Sequence, residues 1–453
     1  MKRFLLPVLM CTGFAASAQN TLLQNPATGA VPTAGINSIC MASNGTQVVL
    51  LAASNNAVYA IDIADKNASE AAANLVTTIP NFVTAKLAPL TGQNVQVLDM
   101  EVNPISKSVY VLASSGTQRF IVKVKNNGAN VSLLDLSNIS HSKLTWGGQT
   151  MEVNDMAFGN NTLYITSGSF QLNGEIGWMS PPFANNSAFT KRATTMFKSN
   201  WGGQYQTTAP LETLAFGKVE NKNRLMGVTT CAPGFSIDAA TLQGTGVLSV
   251  TEDFNVQFGN SRRVVFMSHD NGNWLFDLHD SKLYRIGKKY LNGSQVTANK
   301  HNNNADELRD FSGNVPATYA ATEMKQMSNT TFDMMAQWDD YRLLLLESGT
   351  TGKLVLTQVS QENPPTPTGI RELKTVNIDV YPNPVTSEFV LTLPEGRSKA
   401  ALNIISISGR VVMSQNINSK TTHVNVKGIA PGIYTVALQL ENGETASKKL
   451  TIE

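Results

Sequence analysis

Val97-Leu98-Asp99-Met100-Glu101-Val102 and Val153-Asn154-Asp155-Met156-Ala157-Phe158 are two copies of one pattern. Both are short and apolar with polar interruptions, as strands are. Each leads through a polar turn to a second strand-like run, Ser108 to Ala113 after the first copy and Leu163 to Thr166 after the second. Fainter copies begin at Ile36, Leu211, Trp274 and Phe332. One landmark per copy (Ile39, Met100, Met156, Leu214, Phe276, Met335) falls at a nearly even interval along the chain. Each interval has room for three or four strands with their loops, and repetition of such a unit predicts a β-propeller. Six landmarks favour six blades. Extra strand-like sequence at 180–210 and 240–265 leaves seven as the alternative. The last copy shows three obvious strands, ending at Lys353 to Val359. The segment before Ile36 is therefore expected to supply the missing outer strand and close the ring, hiding its edges. Val109 to Leu112 and Leu343 to Leu346 are continuous apolar runs, as strands covered on both faces should be.

The copies resemble, in pattern, the broad YVTN and NHL-like class of propellers. No WD40 or kelch signature recurs. The composition agrees with a turn-rich, all-β chain. Of 453 residues only 15% are charged, and 43 are Asn, more than the 35 Lys and Arg together. Asn and Gly favour turns over helices. A net charge of +2 offers no field for nucleic acid or an anionic membrane. Charge this sparse also excludes a long helical coiled coil.

The chain divides into four parts. Residues 1–18 read as a signal peptide, with Lys2 and Arg3 ahead of an apolar stretch and Ala16-Ser17-Ala18 as a small-x-small cleavage site. Cleavage is expected between Ala18 and Gln19. No later stretch is apolar for long enough to span a bilayer, so no transmembrane segment is expected in the mature protein. Residues 19–360 form the propeller body, and 361–374 a Pro/Thr-rich linker. Residues 375–453 alternate with period two: Ile378 and Val380 share a face, as do Phe389, Leu391 and Leu393, and Tyr434, Val436 and Leu438. Gly409, Gly432 and Gly443 mark turns between about seven short strands, which predicts a small Ig-like β-sandwich.

Within this tail, Tyr381-Pro382-Asn383-Pro384 opens the first strand, Ile407-Ser408-Gly409-Arg410 lies at the centre, and Gly432-Ile433-Tyr434 follows. Gly443 and then Lys448-Lys449-Leu450 close the chain. These blocks resemble, in order and position, the type A C-terminal sorting domain of the type IX secretion system of Bacteroidetes. The resemblance implies a route: export through the inner membrane, recognition of the tail by outer-membrane secretion machinery, and release or anchoring at the cell surface after the tail is removed. It implies that Lys448 and Lys449 fill the basic position of the family. It covers about a sixth of the chain and leaves the body unexplained.

The body carries few chemical motifs. There is no G-x-S-x-G elbow, no phosphate-binding loop, and no histidine pair at metal-binding spacing among His141, His269, His279, His301 and His423. No cofactor is expected. The acidic turns at Asp270 to Asn273 and Asp339-Asp340 offer oxygens of the kind a structural calcium takes, although an ordinary β-turn uses the same residues. Cys40 and Cys231 fall in the first and fourth blades, opposite each other in a six-bladed ring, so two separate thiols are expected. The most distinctive feature is a repeated tetrapeptide, Trp146-Gly147-Gly148-Gln149 and Trp201-Gly202-Gly203-Gln204, nearly one repeat apart. On loops entering innermost strands, two such Trp rings could stack on sugar rings. The competing reading makes each Trp a packing anchor and each Gly-Gly a tight turn. Glu101, Glu152 and Glu212 recur near the innermost strands and are the candidate acids. The sequence thus favours a non-enzymatic binding protein for a glycan, matrix or protein ligand. The alternative is a propeller hydrolase or lyase acting on polysaccharide or peptide.

Overall fold

A computed structural model describes residues 21–453 apart from 148–151, 169–173, 202–203, 208–209, 230–232, 251–252, 256–259, 271, 288–290, 294–323, 362–377, 394–397, 407–410 and 441–444. The signal peptide with Ala18 and Gln19, most of the linker, and Gly148, Gln149, Gly202, Gly203, Cys231, Gly409 and Gly443 lie outside the described residues. The chain separates into two compact units, Met1–Pro364 and Pro365–Glu453, so the division falls within the linker.

The first unit is a six-bladed propeller. Its innermost strands are Ile36–Ser43, Val95–Val102, Val153–Gly159, Ala215–Val219, Ser261–His269 and Phe332–Gln337. Each starts an antiparallel meander running outward. The middle strands are buried on both sides: Val48–Ser54 is buried at every position, and Leu343 to Leu346 are at most 1% exposed. Turns between strands are made by residues that tolerate a left-handed backbone. Nine asparagines among the described residues have positive φ, including the Asn126-Asn127 and Asn160-Asn161 pairs. The asparagine excess of the composition serves these turns.

The landmark spacing marks the innermost strand in five blades and misplaces it in the fifth. Phe276 sits on the second strand of that blade, Gly272–His279, opposite Val265 of the innermost one. The innermost strand begins Ser261-Arg262-Arg263, and two arginines break the apolar pattern that marks the other copies.

The order of blades around the axis differs from their order in the chain. The first innermost strand, Ile36–Ser43, lies between those of the second and third blades, and the second lies beside the sixth. The apolar interfaces agree. One cluster joins Met100 and Val111 to Met334 and Leu344, and another joins Cys40 and Leu51 to Met156 and Ile165. Around the ring the blades therefore run second, first, third, fourth, fifth, sixth. Two strands stitch this arrangement. Ile139–Leu144, between the second and third blades in sequence, is the outer strand of the first blade, paired with Val58–Ile61. Thr78–Ile79, between the first and second blades, pairs with Lys353–Gln358 and completes the sixth. Closure is thus made by Thr78–Ile79 and not by the segment before Ile36. That segment instead adds Ala27–Gly29 outside Ile139–Leu144. The first and fourth blades are separated by one blade and, contrary to expectation, do not stand opposite each other. Cys40 itself is a free, buried thiol.

The second unit is a two-sheet sandwich. One sheet orders Asp379–Tyr381, Glu388–Thr392 and Thr421–Asn425; the other orders Val411–Ile417, Ala400–Ser406, Gly432–Leu440 and Thr445–Ile452. Phe389, Leu391 and Leu393 face Leu402, Ile404, Val436 and Leu450 in one apolar core. Full burial of a side chain such as Phe389 contributes about 1.5–3 kcal/mol. No helix among the described residues is long and apolar enough to cross a membrane.

Candidate functional site

The innermost strands share a device at their start. In five of the six, the pairing with the second strand slips by one residue, at Asn37, Leu98, Asn154, Arg262 and Asp333. Such a bulge turns the extra residue out of the ladder. In three of the five it reaches the next blade. Asn37 Nδ2 donates to Val153 O at 3.1 Å, Asn154 Nδ2 to Leu211 O at 3.1 Å, and Arg262 Nη1 to Asp333 O at 2.8 Å.

The residue after the bulge also acts across blades. Asp99 Oδ2 accepts from Ile39 N–H at 2.8 Å and from Ser38 Oγ at 3.2 Å, on the first blade. Asp155 Oδ2 accepts from Leu214 N–H at 2.8 Å, on the fourth. The remaining oxygen of each carboxylate meets one guanidinium. Arg263, from the fifth blade, reaches across the ring, with Nη1 at 3.0 Å from Asp99 Oδ1 and 3.4 Å from Asp155 Oδ1. Its Nη2 binds Glu101 Oε1. This layer of side chains fills the axis. Three carboxylates around one guanidinium would carry a net charge of −2 if all were ionised. Burial pushes the Glu101 carboxyl up to about 7, because its neighbours Asp99 and Asp155 add to the burial and together they outweigh the relief that Arg263 gives. Burial likewise pushes Asp155 up to about 6.

A cavity of about 420 Å³ opens on one side of this layer, among the innermost strands. Its polar floor is Glu101 and Arg263, and its walls include Met156, Leu214 and Val265. Phe158, Phe216, Phe266 and Trp338 bring aromatic rings to it. Two glycines place those rings. A Cβ on Gly159 would lie 1.9 Å from Phe216, and one on Gly217 would lie 2.1 Å from Phe266. Each ring therefore rests directly on the backbone of the preceding blade. Phe216 also stacks on Tyr164, with centroids 5.8 Å apart and planes within 8°. Lys107 Nζ donates to Trp338 O at 2.7 Å. Burial depresses the pKa of Lys107, with Asp339 nearby partly offsetting it.

The sequence candidates are distributed otherwise. Trp146 is 1% exposed in the core between the first and third blades. Its indole N–H donates to Glu175 Oε2 at 2.9 Å, and its ring packs on Phe189. It is a packing anchor, and its ring is not available for stacking on a sugar. Gly147 has φ +70°, as a tight turn requires. Trp201 ends the long strand Thr190–Trp201 and pairs with Gln204, on an element unlike that of Trp146. Of the three candidate acids, only Glu101 lines the axial cavity. Glu152 is exposed. Glu212 lies half-buried at the fourth blade, its carboxyl pushed up to about 7 by burial and by Asp277. Asp339 accepts from Tyr341 and Arg342 N–H in its own turn, and Asp270 accepts from Gln361 N–H. Sequence reasoning missed Arg263 and the aromatic rings. The rings had a signal in Ala157-Phe158-Gly159 and Ala215-Phe216-Gly217, which repeat at the blade interval.

In the second unit, the Tyr381 to Pro384 block is clipped to the last strand. Asn383 Nδ2 donates to Lys449 O at 2.7 Å, and its Oδ1 accepts from Thr451 N–H at 2.8 Å. Tyr381 is 75% exposed. Tyr434 Oη donates back to Ala430 O at 2.7 Å, the corner seen in Ig-like sandwiches. Gly432 starts the strand that carries Tyr434. Lys448 Nζ crosses to Ile378 O at 2.9 Å, so it ties the sheets together, while Lys449 is exposed.

The family of secretion system C-terminal sorting domains matches residues 379–453. Among curated proteins none matches the chain in sequence. Among solved structures, the chain is similar to PorZ, a surface component of the type-IX secretion system of Porphyromonas gingivalis, at 13% identity and a TM-score of 0.33, over 99% of this chain and 61% of that one. It is similar also to the PQQ-bound aldose sugar dehydrogenase of Streptomyces coelicolor, at 13% identity and a TM-score of 0.27, over 73% of this chain and 98% of that one. The extracellular region of Plexin A4 matches at 9% identity and a TM-score of 0.33, over 94% of this chain and 53% of that one. The chain thus spans less than two thirds of PorZ and of the Plexin A4 region. These likenesses are distant, and none of what those proteins do is carried over. The tail is identified by its own match and motifs: residues 379–453 are a C-terminal sorting domain of the type IX secretion system, which sends the protein to the cell surface or the extracellular space.

Proposed function

We propose that the exported body is a non-enzymatic binding protein that takes a glycan, matrix or protein ligand into its axial cavity. One observation carries this reading. Two of the three axial carboxylates are already committed, because Asp99 and Asp155 are each held by a backbone N–H of a neighbouring blade and by Arg263. Glycoside hydrolysis ordinarily needs a pair of carboxyl groups free to face the substrate. Of the two acids that line the cavity, Asp339 is held by Arg342 and by its own turn, which leaves Glu101. A pocket of this volume, with aromatic walls above a charged floor, suits a bound ligand.

The test uses the mature chain and Ala157→Trp, which fills the cavity from a wall position. Glycan-array and matrix-protein binding should be strong for the parent and lost in the variant, with the unfolding temperature of the variant confirming that it folds. Equal binding by both would remove the cavity from the function. The alternative, a secreted hydrolase or lyase, is favoured by one feature: a carboxyl titrating near 7 suits a general acid. Polysaccharide or peptide release that vanishes in Glu101→Gln would establish it.

A further inference from the structure

We infer that the axial cavity selects a ligand bearing a primary ammonium group on an apolar stem, held by the second oxygen of Glu101. The inference deepens the binding reading above and rests on it. Glu101 uses Oε1 for Arg263, and no partner for Oε2 is present among the described residues. The side chain keeps 15% of its exposure, and Glu101 lines the cavity, so this oxygen is the open acceptor of the floor. Arg263 is nine-tenths buried, lines the same cavity, and has an Nε without a partner. The floor is therefore not closed on itself.

The charge balance decides the ligand's sign. Asp99, Glu101 and Asp155 face one another from the second and third blades, with Arg263 from the fifth and the Cys40 thiol from the first. Lys107 stands among the lining residues but is fixed on the Trp338 carbonyl, and Asp339 beside it pairs with Arg342. One guanidinium against three carboxylates leaves the floor short of positive charge. A neutral sugar supplies none, and an anion worsens the deficit. An ammonium supplies one charge, donates to Glu101, and runs its stem along Met156, Leu214 and Val265. Aromatic faces attract such a cation as well. Before ligand binds, a proton on Glu101 partly covers the same deficit, consistent with the upward shift of its titration. Binding then exchanges a proton for the ligand's charge. Because the raised group is protonated below its folded-state value, affinity should increase as pH rises through about 7 and level off above it.

Calorimetry on the mature chain tests this with n-pentylamine, its uncharged counterpart n-pentanol, and Nα-acetyl-lysine amide. Pentylamine should bind at least about tenfold more tightly than pentanol and release protons at pH 7. Glu101→Gln should lose about tenfold in pentylamine affinity and the proton release with it. Binding of the lysine amide at similar strength would place the ammonium on a peptide side chain; binding of pentylamine alone would place it on a small free amine. Either outcome supports the inference. Equal affinity for pentanol and pentylamine, or no effect of Glu101→Gln, overturns it. If the amine fails while a neutral glycan still binds and is lost in Ala157→Trp, the ammonium inference falls and the cavity reading stands. If nothing is lost in Ala157→Trp, both fall.

Discussion

Arg263→Met is the most direct test of the axial layer. The substitution keeps an unbranched apolar stem and removes the one cation that Asp99, Glu101 and Asp155 share. Removing one partner of a buried ion pair costs about 3–5 kcal/mol, because a charge is left uncompensated. At about 2 °C per kcal/mol for a body of this size, the unfolding midpoint should fall by about 6–10 °C at pH 8. The loss should shrink as pH falls. Glu101 and Asp155 already titrate near 7 and 6 with the guanidinium in place, and without it they move higher. A carboxyl with a raised folded-state pKa binds more protons folded than unfolded, so the folded state gains stability as pH drops through that window. Between pH 8 and pH 5 the deficit of the variant should therefore close by half or more. Tryptophan fluorescence reads the right unit, since all five Trp (146, 178, 201, 274 and 338) lie in the propeller and none in the sorting domain. A midpoint unchanged at pH 8, or a deficit equal at both pH values, would refute the view that Arg263 neutralises a buried cluster.

Trp146→Ala should cost about 3–5 kcal/mol in the same unfolding assay, whereas a ring that only stacked on ligands would leave stability unchanged. Gly159→Ala should cost about 1–3 kcal/mol and reduce ligand binding, since its new methyl group displaces the Phe216 ring; unchanged binding would separate that ring from the cavity's function. Asn383→Ala removes two hydrogen bonds to the last strand and should lower sorting-domain stability by about 1–3 kcal/mol, read by hydrogen exchange at Thr451. Truncation after residue 370 should retain the protein in the periplasm, and normal surface display of the truncated chain would refute tail-dependent export.

Local pattern was enough for most of the blades and for the tail. Val97 to Val102 and Val153 to Phe158 are indeed innermost strands, because both faces of their apolar positions are covered by neighbouring blades. The tail was legible because its turns and alternating faces are short-range features, and Phe389, Leu391 and Leu393 share a core as the period of two requires. Arg263 was not legible. Two arginines at the start of a strand read as a surface turn, and only the carboxylates 164 and 108 residues away make that position tenable. The Trp146 repeat misled for a related reason. A Trp beside two glycines has the same local signature in a binding loop and in a packed turn, and the indole partner that decides the matter, Glu175, is 29 residues distant.

The blade order explains why the site exists at all. Asp99 and Asp155 are one repeat apart in the sequence, and chain-order winding would put them on adjacent blades. The inserted first blade holds them apart, with Ser38 and Ile39 between them to receive Asp99. The fifth blade then stands opposite the first, and Arg263 can meet both aspartates from across the axis. Were the first two blades exchanged into chain order, the fifth would stand opposite the second, and Arg263 would face Asp99 alone, with Asp155 on a blade to one side of it. The two stitching strands, Thr78–Ile79 and Ile139–Leu144, hold the exchanged order. The position of three carboxylates around one guanidinium, and the charge deficit at the cavity floor that follows from it, is thus a consequence of where the chain crosses and not of any local motif.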